Sequence, residues 1–220
     1  IYVAIGIPHL ICALNSISTL KKYNPKIYVT LLTDQDMAMT PPYVSMIDNL
    51  IALANNSDAR EYKTSLTKFV TGENCVFIDA DTEIHGNLET GFQILQYFDI
   101  GLRPHPGPLA NGAKGGAKVF DGAYNLENLP HWNSGVIFFR NTKTVDLFFK
   151  DWKRTFLKLN SPFDQVSLVE ALFRFNGKVA PLDYRWNAST HQAAKNNHIL
   201  IKHYTSDITA EIQNRLLEVQ

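Results

Sequence analysis

The stretch Phe77-Ile78-Asp79-Ala80-Asp81-Thr82 places two carboxylates two positions apart, directly after an apolar run. Open α/β sheets bind ligands at the C-terminal ends of buried strands, and a turn at Ala80 there lets both side chains converge on one hard cation. Mg²⁺ or Mn²⁺ favours oxygen ligands and also accepts phosphate oxygens from a substrate. A lone D-x-D is equally compatible with a solvated acidic turn or a helix cap. Lys63-Thr64 and Lys68 lie upstream on an expected helix, with Lys63 sixteen positions before Asp79. An ammonium near a dicarboxylate–metal site is what a diphosphate needs, one face taken by each.

These residues need a scaffold, and the first third of the chain supplies an alternating one. Tyr2–Ile7 reads as a buried strand, followed by Pro8 and by Leu10, Leu14, Ile17 and Leu20 at helical spacing. A second strand is expected over Ile27–Leu32, closed by Thr33-Asp34, then a helix around Pro42–Asn49 and a short run Leu50–Leu53. A helix from about Ala59 to Val70 leads to the strand Cys75–Ile78. Continuous apolar strands separated by helices predict an α/β fold with a mostly parallel central sheet flanked by helices. The pattern then changes. Arg103–Lys118 carries Pro104, Pro106 and Pro108 with four glycines, which suggests a functional loop, a lid or an acceptor contact. Strand character resumes over Asn133–Phe139, followed by helices at Thr144–Leu159 and Asp164–Phe175. Short strands at Val179–Leu182 and Ile199–His203 precede a C-terminal helix from about Ile208.

The 220 residues include 45% hydrophobic and 19% charged side chains, a composition that folds around a core. Lys plus Arg and Asp plus Glu both number 21, so a nucleic-acid binder working by broad phosphate neutralisation is excluded as a partner reading. The balance is uneven along the chain. Residues 1–110 hold 7 basic and 11 acidic side chains, and residues 111–220 hold 14 and 10. The two cysteines, Cys12 and Cys75, read as buried thiols of a protein from a reducing, cytoplasmic compartment. No apolar run has the length of a membrane span, and the chain opens at Ile1 without a signal-like segment. The expected organisation is one catalytic domain over 1–220, with a nucleotide-binding half at 1–100 and a sugar- and acceptor-binding half at 101–220. That domain is compatible with a place in a longer polypeptide.

In order along the chain, Val3–Ile7, Tyr62-Lys63-Thr64, Val76–Asp81, Trp132–Val136, Phe163-Asp164-Gln165 and Ile201–Tyr204 form a set. Each is weak alone. Together they resemble the GT-A nucleotide-sugar glycosyltransferases, within them the glycogenin and galactosyltransferase-like group. The resemblance implies the GT-A (nucleotide-diphospho-sugar transferase) fold, a Mn²⁺ or Mg²⁺ cofactor, a UDP-sugar donor, a carbohydrate or glycoprotein acceptor, and retention of anomeric configuration. It makes Asp79 and Asp81 the D-x-D metal ligands, with Asp79 also placed for the ribose, and His203 the third ligand. Gly6, Ile7 and Pro8 would line the base pocket, and Lys63 would touch the donor beside Asp79, Ala80 and Asp81. Asn133-Ser134-Gly135 resembles the N-x-G turn that contacts the sugar, Ser134 lying at the donor. Asp164 and Gln165 resemble the D-Q pair near the anomeric carbon. Read without the family, Asp164 is also a natural helix N-cap and Asn133 a strand-initiating turn.

One position departs from the pattern. The family carries a glycine and then a lysine soon after its metal histidine, whereas His203 is followed by Tyr204-Thr-Ser-Asp207. Support for a leaving diphosphate therefore falls to another cation, with Lys114, Lys118 and Arg185 as candidates. Two rival readings remain at this level. A sugar-nucleotide nucleotidyltransferase would want a Gly- and Arg-rich loop after the first strand, where Gly6–Leu10 offers one glycine and no basic residue. A non-catalytic carbohydrate-binding module would have no use for the D-x-D, the distant histidine and the lysine together.

Overall fold

The computed structural model describes residues 1–35, 43–54, 58–105, 118–119, 124–125, 130–160, 163–195 and 198–204. The elements run β1 (Tyr2–Ala4), α1 (Ile7–Tyr23), β2 (Thr30–Thr33), β3 (Asn49–Ala52), α2 (Ala59–Lys63), β4 (Asn74–Ile78), β5 (Thr82–Ile84) and α3 (Glu89–Gln93). They continue with β6 (Ile100–Pro104), β7 (Lys118–Val119), β8 (Tyr124–Asn125), β9 (Trp132–Arg140), α4 (Lys143–Leu159), α5 (Asp164–Arg174), β10 (Val179–Pro181), β11 (Ala188–Ser189), α6 (Thr190–Ala193) and β12 (Ile201–His203). The expected α/β alternation is present.

Two compact units divide the chain. The first comprises Ile1–Ala59, Phe77–Thr90 and Tyr184–Gln220; the second comprises Arg60–Val76 and Gly91–Asp183. In the first unit β1, β2 and β3 form a parallel sheet, with Tyr2 opposite Leu31 and Leu31 opposite Leu50. α1 begins behind Gly6 with Pro8 in its first turn, where a missing N–H costs nothing, and ends on Lys21 and Lys22, which suit a helix C-terminus. It buries Cys12, Ala13, Ile17 and Leu20. A second sheet of order β11-β12-β5 pairs β12 antiparallel to β5, setting His203 opposite Thr82 and Lys202 opposite Glu83.

The second unit is built on β10, β6 and β9, parallel between β10 and β6 and antiparallel between β6 and β9, and includes the start of β4 up to Val76. α4 is capped by the Thr142 hydroxyl, which accepts from Val145 N–H, and ends at Asn160 in the left-handed region. Its apolar face buries Val145, Phe148, Phe149, Trp152 and Phe156. Phe149 meets Phe139 of β9 edge to face at 5.2 Å, a geometry worth about 0.5–1.5 kcal/mol beyond area burial.

Several expected elements differ. The first strand ends at Ala4 rather than Ile7, because Gly6 takes a positive φ and α1 begins at Ile7. The helix over Ala59–Val70 is one α-turn to Lys63 and a separate 3₁₀ turn at Leu66–Phe69. The Thr64 and Ser65 hydroxyls donate back to the Glu61 carbonyl, offering the backbone an alternative to helix. The helix around Pro42–Asn49 is a 3₁₀ turn at Tyr43–Met46, because the backbone N–H groups of Asp48 and Asn49 bond Val29 C=O and lead into β3. The second strand starts at Thr30 rather than Ile27, since Ile27 C=O accepts from Lys21 Nζ and Val29 N–H donates to Asp48. Residues 106–117 of the expected loop and the expected C-terminal helix lie outside the described residues.

Candidate metal centre and sugar site

β4 ends at Ile78, and the chain turns through Asp79-Ala80-Asp81 before β5 begins at Thr82. The turn is closed by Thr82 Oγ1 donating to Asp79 C=O at 2.9 Å. The Tyr204 N–H holds Asp81 C=O at 2.9 Å, so β12 docks beside the turn and brings His203 to it. His203 Nε2 stands 3.1 Å from Asp81 Oδ1 and 3.8 Å from Asp79 Oδ2. One ligand atom from each of the three residues falls within 4.8 Å of the others. The predicted trio thus comes together within the first unit.

The far side of the imidazole decides what the near side can do. His203 Nδ1 is 2.8 Å from Asn187 Oδ1, which can only accept, so Nδ1 carries the proton. In the neutral ring Nε2 then presents a lone pair toward two carboxylates, an arrangement stabilised by a cation among them. The donor set of two carboxylate oxygens and one imidazole nitrogen, with the ring oriented from behind by a buried amide, fits a divalent metal ion. Asn187 was not anticipated from sequence. Its role depends on the β11–β12 register, Ser189 opposite His203, which no local pattern reveals. Ser189 in turn is fixed by a capping box with Gln192 at the start of α6.

On the opposite face of β12, Lys202 Nζ donates to Tyr204 Oη at 2.9 Å, and Tyr204 donates to Glu83 Oε2 at 2.5 Å. Trp186 and Tyr204 are buried, whereas Tyr184 is exposed. Of the cations considered for a leaving diphosphate, Arg185 is exposed in a 3₁₀ turn, while Lys114 and the Lys118 side chain lie outside the described residues.

At the end of β1, Gly6 has φ 78° and ψ 158°, a backbone state essentially reserved for glycine. Its N–H donates to Asp34 Oδ1 at 2.8 Å, which pins the strand-to-helix loop. The Gln35 amide, this N–H and further contacts hold the Asp34 carboxyl below its ordinary range. Asp34 was legible in principle, being a carboxylate directly after a strand-like apolar run. Ile7, next in the chain, is 62% exposed, and Pro8 is exposed beside it. A projecting apolar side chain and ring at a strand C-terminus can pack against a planar group.

The second unit gathers another predicted set. Asp164 opens α5 but does not cap it; Phe163 holds the cap position without a side-chain bond. Asp164 is buried instead against Lys63, whose Nζ lies 3.1 Å from Oδ2, off the line of an ideal hydrogen bond. Burial works to raise the Asp164 carboxyl, but the Lys63 ammonium and the Ser134 hydroxyl outweigh it and hold the group below the ordinary carboxylate range. Lys63, Ser134 and Asp164 therefore form one cluster. Trp152 Nε1 and Ser167 Oγ both donate to the Asp164 carbonyl, at 3.2 and 2.7 Å, and fix the helix start behind it. Gln165 is half-buried in the same turn. Asn133 Oδ1 accepts from Gly135 N–H at 2.7 Å and closes the N-x-G turn inside β9. β6 shifts register between Leu102 and Arg103, which sets the buried Arg103 opposite Asn133.

No protein-family model matches the chain, and comparison with curated proteins gives no significant match. Solved structures do match. The galactosyltransferase LgtC, in complex with donor and acceptor sugar analogs, superposes with a TM-score of 0.67 at 14% identity, over 99% of this chain and 94% of its own. Mouse xyloside xylosyltransferase 1 in its apo form gives a TM-score of 0.65 at 11% identity, over 94% and 97%. The glycosyltransferase GlyE of Streptococcus pneumoniae TIGR4 gives 0.60 at 16% identity, with the chain spanning 54% of it. At these identities the likeness is one of fold, and the chain has the GT-A glycosyltransferase fold.

Proposed function

We propose that this chain is a metal-dependent glycosyltransferase that moves a sugar from a UDP-sugar to a hydroxyl of a carbohydrate or glycoprotein acceptor, with retention of configuration. The observation that carries the reading is the convergence of Asp79, Asp81 and His203 at a strand end of a GT-A fold. Asp79, Asp81 and His203 would hold the ion, and the oxygen-rich set with one nitrogen suits Mn²⁺ better than Mg²⁺. Bound there, the cation would neutralise negative charge that develops on the departing diphosphate.

The remaining roles belong to the chain's own groups. Gly6, with no Cβ, leaves the backbone open to a uracil edge, and Ile7 and Pro8 offer it apolar surface. Asp79, Ala80 and Asp81 present the turn to the donor. Asp164, kept ionised by Lys63, accepts a hydrogen bond from a sugar hydroxyl, and Ser134, Asn133 and Gln165 contact the sugar around it. A general base works best with a pKa near the operating pH. A carboxyl held low by an ammonium is poorly suited to that task, which argues against Asp164 as an inverting base. The whole chain acts as one catalytic domain, residues 1–100 serving mainly the nucleotide, joined there by His203, and 101–220 mainly the sugar and acceptor, joined there by Lys63. Free, buried thiols at Cys12 and Cys75, both pushed up to about 11 by burial, are in keeping with a reducing cytoplasmic setting. Among the described residues no helix is long and apolar enough to cross a membrane.

A panel of UDP-sugars assayed for Mn²⁺-dependent hydrolysis tests the reading and identifies the donor. Asp81→Ala should reduce turnover at least about a hundredfold with the fold intact. Undiminished Mn²⁺-dependent hydrolysis in that variant would remove the metal assignment.

A further inference from the structure

We propose that a one-way relay of buried hydroxyls, Tyr2 to Ser16 to Thr82, locks the backbone of Asp79 and so presets the two carboxylates of the turn for a divalent ion. The proposal rests on the metal reading above and names three positioning residues for it. Tyr2 Oη lies 3.1 Å from Ser16 Oγ, Ser16 Oγ lies 2.7 Å from Thr82 Oγ1, and Thr82 Oγ1 lies 2.9 Å from Asp79 C=O. The carbonyl at the end can only accept, so Thr82 spends its single hydrogen there. Ser16 must then donate to Thr82, and Tyr2 must donate to Ser16. The direction of every bond follows from the last one.

The surroundings keep this order. Tyr2, Ser16 and Thr82 are each 0% exposed, so water does not compete for the hydroxyls. Burial also pushes the Tyr2 phenol up against the lowering effect of Ser16, leaving it a donor at any working pH. Hydrogen bonds in such a chain polarise one another in a low-dielectric interior. A second tie runs beside the relay. Thr19 Oγ1 accepts from Ile84 N–H at 3.0 Å and donates to Ser16 C=O at 2.9 Å, so α1 grips β5 at two points. The relay reaches the backbone of a proposed ligand itself, and rotation of that peptide would swing Asp79 and Asp81 away from His203.

Four variants test the proposal: Thr82→Val, which keeps the shape and loses the donor, Thr82→Ser, which keeps the donor, Ser16→Ala and Tyr2→Phe. Two readouts are taken on the full chain. One is the Mn²⁺ dissociation constant from the electron paramagnetic resonance of free Mn²⁺. The other is amide hydrogen exchange over residues 79–82 without metal. Thr82→Val should weaken Mn²⁺ about 10–100-fold, Thr82→Ser should stay within about twofold, and Ser16→Ala and Tyr2→Phe should fall between, in that order. Exchange over the turn should quicken in the same order. Mn²⁺ affinity and exchange at wild-type levels in Thr82→Val, with Asp81→Ala unable to bind, would overturn the relay and leave the metal site standing. Should Asp81→Ala bind Mn²⁺ as wild type does, the metal reading falls, and with it the relay's presetting role. Exchange in the metal-free protein then reports only whether the hydroxyls hold the turn. If Thr82→Val fails to fold, Ser16→Ala against Thr82→Ser decides by the same readouts.

Discussion

The Lys63–Asp164 pair shows how one residue's charge state follows from its neighbour. Both side chains are nearly buried, at 8% and 12% exposure, so removing one partner strands the other. Lys63→Met should cost about 3–5 kcal/mol, because an unpaired buried carboxylate remains. The pH dependence should also change sign. In the wild type Asp164 is held below its unfolded range, so its contribution is present above the unfolded pKa and lost as pH falls through the folded one. Without Lys63, desolvation dominates and raises the carboxyl, so the variant should gain stability as pH falls toward the ordinary carboxylate range. Urea denaturation at pH 7 and pH 4.5 checks this; parallel losses in both proteins would contradict it. Gly6 makes a second case. A Cβ there would meet little, with Pro8 Cδ 3.9 Å away, so the penalty of Gly6→Ala is conformational. Thermal denaturation should register a loss of about 1–3 kcal/mol. The sequence made Asp79, Asp81, His203, Lys63 and Asp164 visible because charged groups beside apolar runs stand out. Asn187 was hidden, since an amide matters only through a pairing of strands.

At the scale of elements, α4 and α5 were read closely from sequence because their cues are local. Thr142 caps α4, aromatic residues recur on one face, and Asn160 closes it. Ala59–Val70 resisted, because the hydroxyls of Thr64 and Ser65 compete for the Glu61 carbonyl and periodicity does not report that competition. The Tyr43–Met46 turn resisted for a tertiary reason: Asp48 accepts from both Val29 N–H and Lys21 Nζ. The join of α4 to α5 yields its own prediction. Trp152 Nε1 donates to Ser167 Oγ at 3.0 Å as well as to the Asp164 carbonyl. Trp152→Phe leaves Ser167 bonded to that carbonyl, so the hydrogen-bond loss is partial and volume loss adds to it. A destabilisation of about 2–3 kcal/mol is expected in denaturant titration. A change below about 0.5 kcal/mol would mean that α5 starts where it does for other reasons.

Over the whole molecule the neutral charge total conceals a division that follows the compact units. The first unit carries 7 basic and 11 acidic side chains, and the second carries 14 and 10. The acidic unit holds the Asp79–Asp81–His203 trio, whose ligand atoms lie within 4.8 Å of one another. That division was half legible, since counts along the sequence already leaned the same way, but the units interleave segments no linear reading would join. Ligand binding should stabilise the fold by mass action. UDP at a hundred times its dissociation constant, with Mn²⁺, contributes about 2.7 kcal/mol, or roughly 5–10 °C in Tm for a chain of this size. The central claim, that Asp79, Asp81 and His203 together make UDP binding depend on a metal, is tested most directly by calorimetric titration with UDP. The wild type should bind in Mn²⁺ and lose binding in excess chelator, and neither Asp81→Ala nor His203→Ala should bind under either condition. Equal UDP affinity with and without Mn²⁺, or Mn²⁺-dependent binding retained in both variants, would contradict the claim.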